Sequence, residues 1–162
     1  MIGCSSREAE QARVPSVEET MVKLGSCLRE ESPEENLEES FKLVLAETTL
    51  KPDETLVRIV AYATGRAVDF DLPVYRMSSG RWLINEKRRV YLVDEACRQY
   101  KLKDRGFAAE QTLGPQDGRI RLSPGQAFEA TLSFPRLPDQ TRMGVLVYGE
   151  RRMLFTLWKK PQ

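Results

Sequence analysis

The chain of 162 residues contains no histidine, and so it lacks the side chain that enzymes use most often as a general base and metal sites most often as a ligand. Its three cysteines stand at positions 4, 27 and 97, without the C-x-x-C spacing that is typical of zinc sites. Glycine-rich phosphate loops and the G-x-S-x-G elbow of hydrolases are also absent from the sequence. We therefore predict a protein that is not an enzyme and that carries no metal and no other cofactor.

Long apolar runs are the second feature that the sequence lacks. No stretch approaches the roughly 18 apolar residues that a membrane-spanning helix requires. Apolar residues make up 41% of the chain and charged residues 30%, which favours one core with a generous polar surface. A chain of this length can bury a substantial core, and we expect one domain with an appendage.

The net charge of +1 hides an uneven distribution along the chain. Residues 1–54 hold 6 Lys/Arg and 13 Asp/Glu, whereas residues 55–162 hold 19 Lys/Arg and 11 Asp/Glu. Such asymmetry is typical of a basic body that binds a partner and carries an acidic tail. It is equally consistent with an acidic segment that docks against the basic body of its own chain.

The first 40 residues predict a leader followed by short helices. Residues 1–14 are polar and aperiodic, and we expect a disordered leader or tether. Residues 15–40 predict an acidic helical segment packed on the body, beginning at a capping box formed by Ser16 and Glu19. A second short helix is expected over 32–40. The apolar stripe of the first helix is predicted to consist of Val17, Met21, Leu24 and Leu28.

From residue 41 the hydrophobic period changes to that of β-strands. The stretches "FKLVLAETTL" and "TLVRIVAYATG" are rich in β-branched residues and are separated by the turn signal "KPDE". The second stretch predicts alternation, with Val57, Ile59 and Ala61 on one face of the strand and Leu56, Arg58, Val60 and Tyr62 on the other. Near the end, "YGERR" predicts a tight hairpin. Short strand segments with a turn signal every 8–12 residues are typical of a β-sandwich or a small barrel, and we assign 41–162 to one mainly β domain.

Three short motifs in this region resemble a known kind of domain. They are "VYLVDEACRQYKL", with Leu92, Asp94 and Tyr100; "LSPG", with Leu122, Pro124 and Gly125; and "ATLSF", with Leu132 and Phe134. Together they resemble the small immunoglobulin-like domains of bacterial envelope lipoproteins. The resemblance covers about residues 41–158, and it departs from the usual pattern at Cys97, where a glycine is usual. It implies an immunoglobulin-like antiparallel β-sandwich preceded by one or two short helices, and it implies no catalytic residues.

The resemblance also implies a role for the first cysteine. The start "MIGCSS" is similar to the last part of the box at which bacterial lipoproteins are cleaved and acylated, with Cys4 as the lipid attachment site. We expect the full-length gene to encode an apolar stretch before Ile2. The resemblance thus implies an extracytoplasmic protein of the bacterial cell envelope, attached to the membrane only through a lipid at Cys4. The alternative is a stray cysteine in a cytoplasmic protein.

Cys27 and Cys97 then remain as the second and third cysteines. An oxidising envelope permits a disulfide between them, which would join the leader helix to the β domain. The other interpretation is two separate buried thiols that behave as small apolar side chains. The sequence leaves both open.

Basic residues cluster in the second half of the chain and predict a face for an anionic partner. Aromatic residues are sparse among them, which disfavours nucleic acid as the partner. A solvated surface, or a dock for the acidic helices, is the plainer alternative. The predicted face consists of Lys87, Arg88, Arg89, Lys101, Lys103, Arg119 and Arg121.

One further pair of charges is notable. Asp69 and Asp71 in "VDFDL" lie on the same side of a predicted strand. Two such carboxylates can bind calcium or act as acid and base, but charge that protects a sheet edge from aggregation is the simpler interpretation. Trp82 and Trp158 are expected at the core or its rim.

These observations support one main hypothesis about function. The chain is a non-catalytic, envelope-tethered immunoglobulin-like module that binds a protein or an envelope polymer. The alternative is a soluble β-barrel domain that binds nucleic acid or another anionic ligand through a basic strand face.

Overall fold

The structure, a computed structural model, describes residues 16–28, 41–109 and 118–157. It is mainly β, with antiparallel sheets and one short helix, α1 (Val17–Cys27), which confirms the predicted fold class at that level. The predicted disordered leader, the second helix over 32–40, Cys4 and Trp158 lie outside the described residues.

The described strands range from three residues to the ten of β1 and β2. The first six are β1 (Phe41–Leu50), β2 (Glu54–Ala63), β3 (Val68–Asp71), β4 (Val74–Arg76), β5 (Trp82–Ile84) and β6 (Val90–Asp94). The other six are β7 (Gln99–Lys101), β8 (Phe107–Ala109), β9 (Arg119–Leu122), β10 (Ala127–Pro135), β11 (Met143–Tyr148) and β12 (Arg151–Thr156).

The first large sheet has the strand order β1-β2-β10-β8, and every pair in it is antiparallel. The predicted alternation of β2 is confirmed, because Val57, Ile59 and Ala61 are buried while their neighbours are half-exposed. β10 alternates in the same way. This sheet therefore presents one face to the core and the other to solvent.

The second large sheet has the order β12-β11-β6-β7 and is also antiparallel. The predicted hairpin is confirmed: Tyr148 pairs with Arg151 across a two-residue turn, with Gly149 at a φ of 61°. Every residue of β6 and of β11 is buried. Both faces of this sheet are therefore covered at its centre.

The two large sheets share one hydrophobic core. Ile59, Leu132 and Phe134 from the first sheet pack with Leu92 and Leu146 from the second. Two small antiparallel sheets, β3-β9 and β4-β5, complete the described part. Each large sheet ends in two edge strands, so the described residues do not form the closed barrel that the alternative hypothesis requires.

Helix α1 covers the outer face of the second sheet. Its capping Ser16 accepts a hydrogen bond from the backbone N–H of Glu19 at 3.1 Å, as the capping box predicts. Leu24 is 2% exposed and belongs to a small second core. The other members of this core are Tyr91, Val93, Met143, Val145 and Val147, with Cys27 and Leu28 packed against them.

The predicted apolar stripe of α1 is only partly correct. Val17 and Met21 are 43% and 48% exposed, whereas Thr20 is buried beside Leu24. The Thr20 hydroxyl donates a hydrogen bond to the Ser16 carbonyl at 3.0 Å, and this satisfies its polar atom locally. The face that packs on the sheet therefore runs through Thr20, Leu24 and Leu28, and the polar threonine hid it from the hydrophobic pattern.

Candidate functional site

The turn between β6 and β7 is organised around the carboxylate of Asp94, which is 1% exposed. One oxygen accepts hydrogen bonds from the backbone N–H groups of Ala96 and Arg98, both at 2.9 Å. The other accepts from the Tyr100 hydroxyl at 2.6 Å and from the Arg98 guanidinium at 3.0 Å. These four hydrogen bonds hold the turn in one conformation and occupy the carboxylate.

Burial and hydrogen bonding have opposite effects on the pKa of Asp94. Burial alone would raise the pKa of Asp94, but hydrogen bonds from Tyr100 and from two backbone N–H groups, together with the charge of Arg98, keep that pKa below its usual value. Burial, and then the hydrogen bond to the Asp94 carboxylate, raise the pKa of Tyr100 to about 12. At neutral pH the pair is therefore an ionised carboxylate and a protonated phenol.

Cys97 lies in the same turn and has a φ of 64°, a conformation that glycine adopts readily and other residues rarely do. The structure joins Cys97 to Cys27 at the end of α1 by a disulfide, with 5.0 Å between the two Cα atoms. The resemblance places a glycine at this position. The backbone conformation is thus of the kind a glycine would suit, while the cysteine side chain supplies a crosslink to the helix.

Glu95, the next residue in the turn, connects the turn to the start of β11. Its carboxylate accepts hydrogen bonds from the backbone N–H groups of Arg142 and Met143, at 2.8 and 2.9 Å. Asp94 therefore fixes the backbone of its own turn, and Glu95 fixes the backbone where β11 begins.

A cavity of about 480 Å³ lies beside β7, between the segment that leads into β6 and the β4-β5 hairpin. Pro73, Ile84 and Leu102 supply an apolar floor. The polar groups that line it belong to Glu86, Arg88, Arg89, Gln99, Lys101 and Asp104. A cavity of this size with an apolar floor and a few polar groups has the character of a small-ligand site.

Two cations flank one tyrosine in this cavity. Tyr91 on β6 and Lys101 on β7 are directly opposite in the sheet register. Arg89 donates a hydrogen bond to the Tyr91 hydroxyl at 3.2 Å, and its guanidinium lies 5.8 Å from the centre of the Tyr91 ring. Arg89 and Lys101 therefore approach the same tyrosine from two neighbouring segments.

Three of the seven residues predicted to form a basic face come together here, namely Arg88, Arg89 and Lys101. Arg88 also forms an ion pair with Asp71 at 3.0 Å. Lys87 is exposed in the turn that precedes β6. Lys103 pairs with Glu54 at 3.2 Å, on the side of the first sheet.

Arg119 and Arg121 lie on β9 and do not line this cavity, although Arg119 shares the Asp71 carboxylate with Arg88. Arg119 pairs with Asp71 at 2.8 Å, and Arg121 with Asp69 at 3.3 Å. The strand register places each arginine directly opposite its aspartate. The two aspartates therefore form cross-strand ion pairs in the small β3-β9 sheet and place negative charge among the predicted cations.

No helix in the described ranges is long and apolar enough to cross a membrane. Within 16–28, 41–109 and 118–157, no group of three or more His, Cys, Asp or Glu side chains is arranged to hold a metal ion. No family model, curated protein or solved structure matches this chain. Function must therefore be argued from the residues of the chain itself.

Most of the residues that line the cavity have no recognisable signal in the sequence. Tyr91, Gln99 and Asp104 gave no signal because the cavity forms only when the β4-β5 hairpin packs beside β6 and β7. The role of Asp94 did have a signal: an aspartate just before a turn accepts hydrogen bonds from N–H groups two to four residues later.

Proposed function

We propose that this chain is a non-catalytic binding module with an immunoglobulin-like β-sandwich, displayed outside the bacterial cytoplasm. The observation that carries the location is the disulfide between Cys27 and Cys97. Disulfides persist in oxidising compartments and are rare in cytosolic proteins. Two antiparallel sheets packed face to face over one core are compatible with the immunoglobulin-like arrangement.

The environment of the buried ionisable groups supports a binding role. Asp94 and Tyr100 are engaged with each other and with the backbone of their own turn. The Tyr148 hydroxyl donates to the Asp71 carbonyl at 2.7 Å, and burial, followed by the nearby charge of Asp71, raises the Tyr148 pKa well above its usual value. All three groups therefore stabilise the fold, whereas the cavity beside β7 offers fixed charges on an accessible edge.

We further propose a lipid at Cys4 as the only attachment to a membrane. Cys4 precedes the first described residue, Ser16, by 12 positions. A chain of that length can span at most about 40 Å, enough to separate a membrane surface from the body. The partner in this proposal is a protein or an envelope polymer that reaches the cavity.

The alternative, a binder of nucleic acid with a basic strand face, has less support. On β9 the two arginines are each opposite an aspartate, and Arg88 and Lys103 also have carboxylate partners. Four of the seven cations therefore have a carboxylate partner, with Asp71 shared by Arg88 and Arg119, and this lowers the uncompensated charge that backbone binding to nucleic acid requires.

Counting thiols in cells of the native host tests the location. A maleimide reagent of 5 kDa is added to lysates before and after reduction, and mass-shifted bands are counted. We expect no shift before reduction and two after it in the wild type, because Cys4 is acylated and the other two are paired. The Cys4→Ser variant should give the same two shifts and should lose incorporation of an alkyne-labelled fatty acid.

Two results would contradict this proposal. Three reactive thiols before reduction would place the protein in a reducing compartment. Equal fatty-acid incorporation in the wild type and in Cys4→Ser would exclude Cys4 as the attachment site.

A further inference from the structure

We propose that the cavity beside β7 binds an acidic saccharide, whose carboxylate or phosphate group is held by Arg89 and Lys101. This inference rests on the proposed role of the chain as a binding module, and it names the class of ligand. Three features of the cavity restrict the class of ligand: its apolar floor, its two cations and its other polar groups.

The two cations define an anion position. Lys101 is opposite Tyr91 in the sheet register, and Arg89 packs on the Tyr91 ring, so both basic side chains extend from the same side of the sheet beside one tyrosine. In the described part of the chain Lys101 has no carboxylate partner, and its side chain is exposed. A guanidinium and an ammonium group in this arrangement suit a carboxylate or a phosphate, which can accept from both.

The other polar groups of the cavity disfavour a ligand that carries only negatively charged groups. Glu86 and Asp104 line the same cavity as the cations, and Gln99 adds an amide. The cavity lining therefore contains carboxylates as well as cations, and Arg88 is paired with Asp71. Carboxylates accept hydrogen bonds from hydroxyl groups, and an amide both donates and accepts. A ligand that carries several hydroxyl groups and one acidic group satisfies both kinds of side chain.

The floor and the size fit a sugar ring. Ile84 is half-buried and, with the accessible edges of the buried Pro73 and Leu102, supplies apolar atoms on which the C–H face of a sugar ring can pack. A volume of about 480 Å³ accommodates a small saccharide. The cavity adjoins β7, which is an edge strand of its sheet, so a longer polymer can enter and leave along that edge.

The test measures binding to the full chain by NMR titration with four defined probes. Two are anionic, trigalacturonic acid and glucose 1-phosphate, and they distinguish a carboxylate from a phosphate source. The other two, methyl-esterified trigalacturonate and glucose, are their uncharged counterparts. We expect at least one anionic probe to bind at least tenfold more tightly than its uncharged counterpart, with the largest shifts at Tyr91, Gln99 and Lys101.

Variants then locate the anion. Lys101→Gln and Arg89→Gln should each weaken binding of that probe by about tenfold, the loss expected for one charge-assisted hydrogen bond. Lys42→Gln on β1 is the matched control, because it removes the same charge from an exposed position of the other large sheet, and binding should be unchanged. Lys101 is exposed, so its variant should keep the wild-type unfolding midpoint.

Three results would overturn the proposal: equal binding of charged and uncharged probes, no effect of Lys101→Gln, or an equal loss in Lys42→Gln. A deca-glutamate peptide serves as a fifth probe. If it binds more tightly than the saccharides and shifts the backbone amides along β7, the edge is a peptide-docking site and the saccharide proposal is wrong. The thiol count in cells does not depend on any ligand, so failure here leaves the test of location intact.

Discussion

The two large sheets of this protein differ in how many of their faces are buried. In the first sheet, β2 and β10 alternate between buried and accessible residues, as expected for a sheet with one face in water. In the second, β6 and β11 are buried throughout, because α1 lies over the outer face. Burial of the outer face of the second sheet therefore depends on a short helix.

That helix is held by few groups. Leu24 is its one large side chain that is fully buried, with Cys27 and Leu28 partly buried beside it. An isolated helix of 11 residues is only marginally stable in water. The disulfide from Cys27 to Cys97 therefore does much to keep the outer face of the second sheet covered.

The largest expected effect is the loss of this crosslink. The paired substitution Cys27→Ser and Cys97→Ser should lower the free energy of unfolding by about 4 kcal/mol, the chain-entropy value for a loop of this length. Urea unfolding measures the change, and hydrogen exchange should accelerate in β6 and β11 more than in β2 and β10. Cys4→Ser is the control with unchanged stability. Equal acceleration in both sheets would show that the helix does not protect the second sheet selectively.

A smaller loss of stability is expected when a side chain of the second sheet is truncated in the shared core. Leu146 on β11 is 0% exposed in the shared core, and Leu146→Ala should cost about 3 kcal/mol. Leu154 on β12 is 45% exposed, and Leu154→Ala should cost less than about 1 kcal/mol. The two denaturation midpoints check the difference, and similar midpoints would mean that β12 is as deeply packed as β11.

The Asp94 turn should contribute about 2 kcal/mol at neutral pH, measured as the loss in Asp94→Asn. Because the Asp94 pKa is lower in the folded protein than in the unfolded chain, this contribution is present above the unfolded pKa of about 4 and disappears as the pH falls through the folded pKa. Urea unfolding at neutral and acidic pH should therefore show a smaller difference between wild type and variant in acid.

Glu129 on β10 provides the control from the first sheet. It forms an ion pair with Arg58 on the exposed face, and Glu129→Gln should change stability by less than about 1 kcal/mol. A loss in Glu129→Gln as large as that in Asp94→Asn would remove the distinction between a buried turn carboxylate and a surface ion pair.

The smallest expected effect is a gain in stability. Gly25 lies within α1, and a Cβ atom added there meets nothing within 4 Å, so Gly25→Ala should stabilise the protein by up to about 1 kcal/mol through helix propensity. Gly144→Ala on β11 should destabilise it, because the added Cβ would meet the Phe155 ring and lie 2.9 Å from the Val93 carbonyl oxygen. Thermal unfolding of both variants measures the opposite signs, and destabilisation by Gly25→Ala would contradict the open surroundings of that residue.

The sequence predicted local structure well and long-range pairing poorly. The alternation of Val57, Ile59 and Ala61 and the turn after Tyr148 depend on neighbouring residues, and both were predicted correctly. The ion pairs of Arg119 and Arg121 depend on the pairing of β9 with β3, which no local pattern specifies. For this reason only three of the seven cations that were predicted to share a face line the cavity.

The fully buried strands illustrate a second limit. The run "MGVLVY" in β11 shows no alternation, so it could not indicate which face meets the core and which meets the helix. Thr20 hid the contact face of α1 for a related reason, because its buried hydroxyl is satisfied within the helix. Sequence patterns report hydrophobicity, and these two cases depend on what covers a face.

The left-handed backbone at Cys97 constrains how this protein can change by mutation. Cys97→Gly alone would relax the backbone but leave Cys27 as an unpaired thiol, and loss of Cys27 alone would leave a side chain at a position that suits glycine. Each single change therefore carries a penalty that the second change partly removes. The two positions should be inherited as a pair, either both cysteine or with glycine at 97, and descendants with only one of the two changes should be rare.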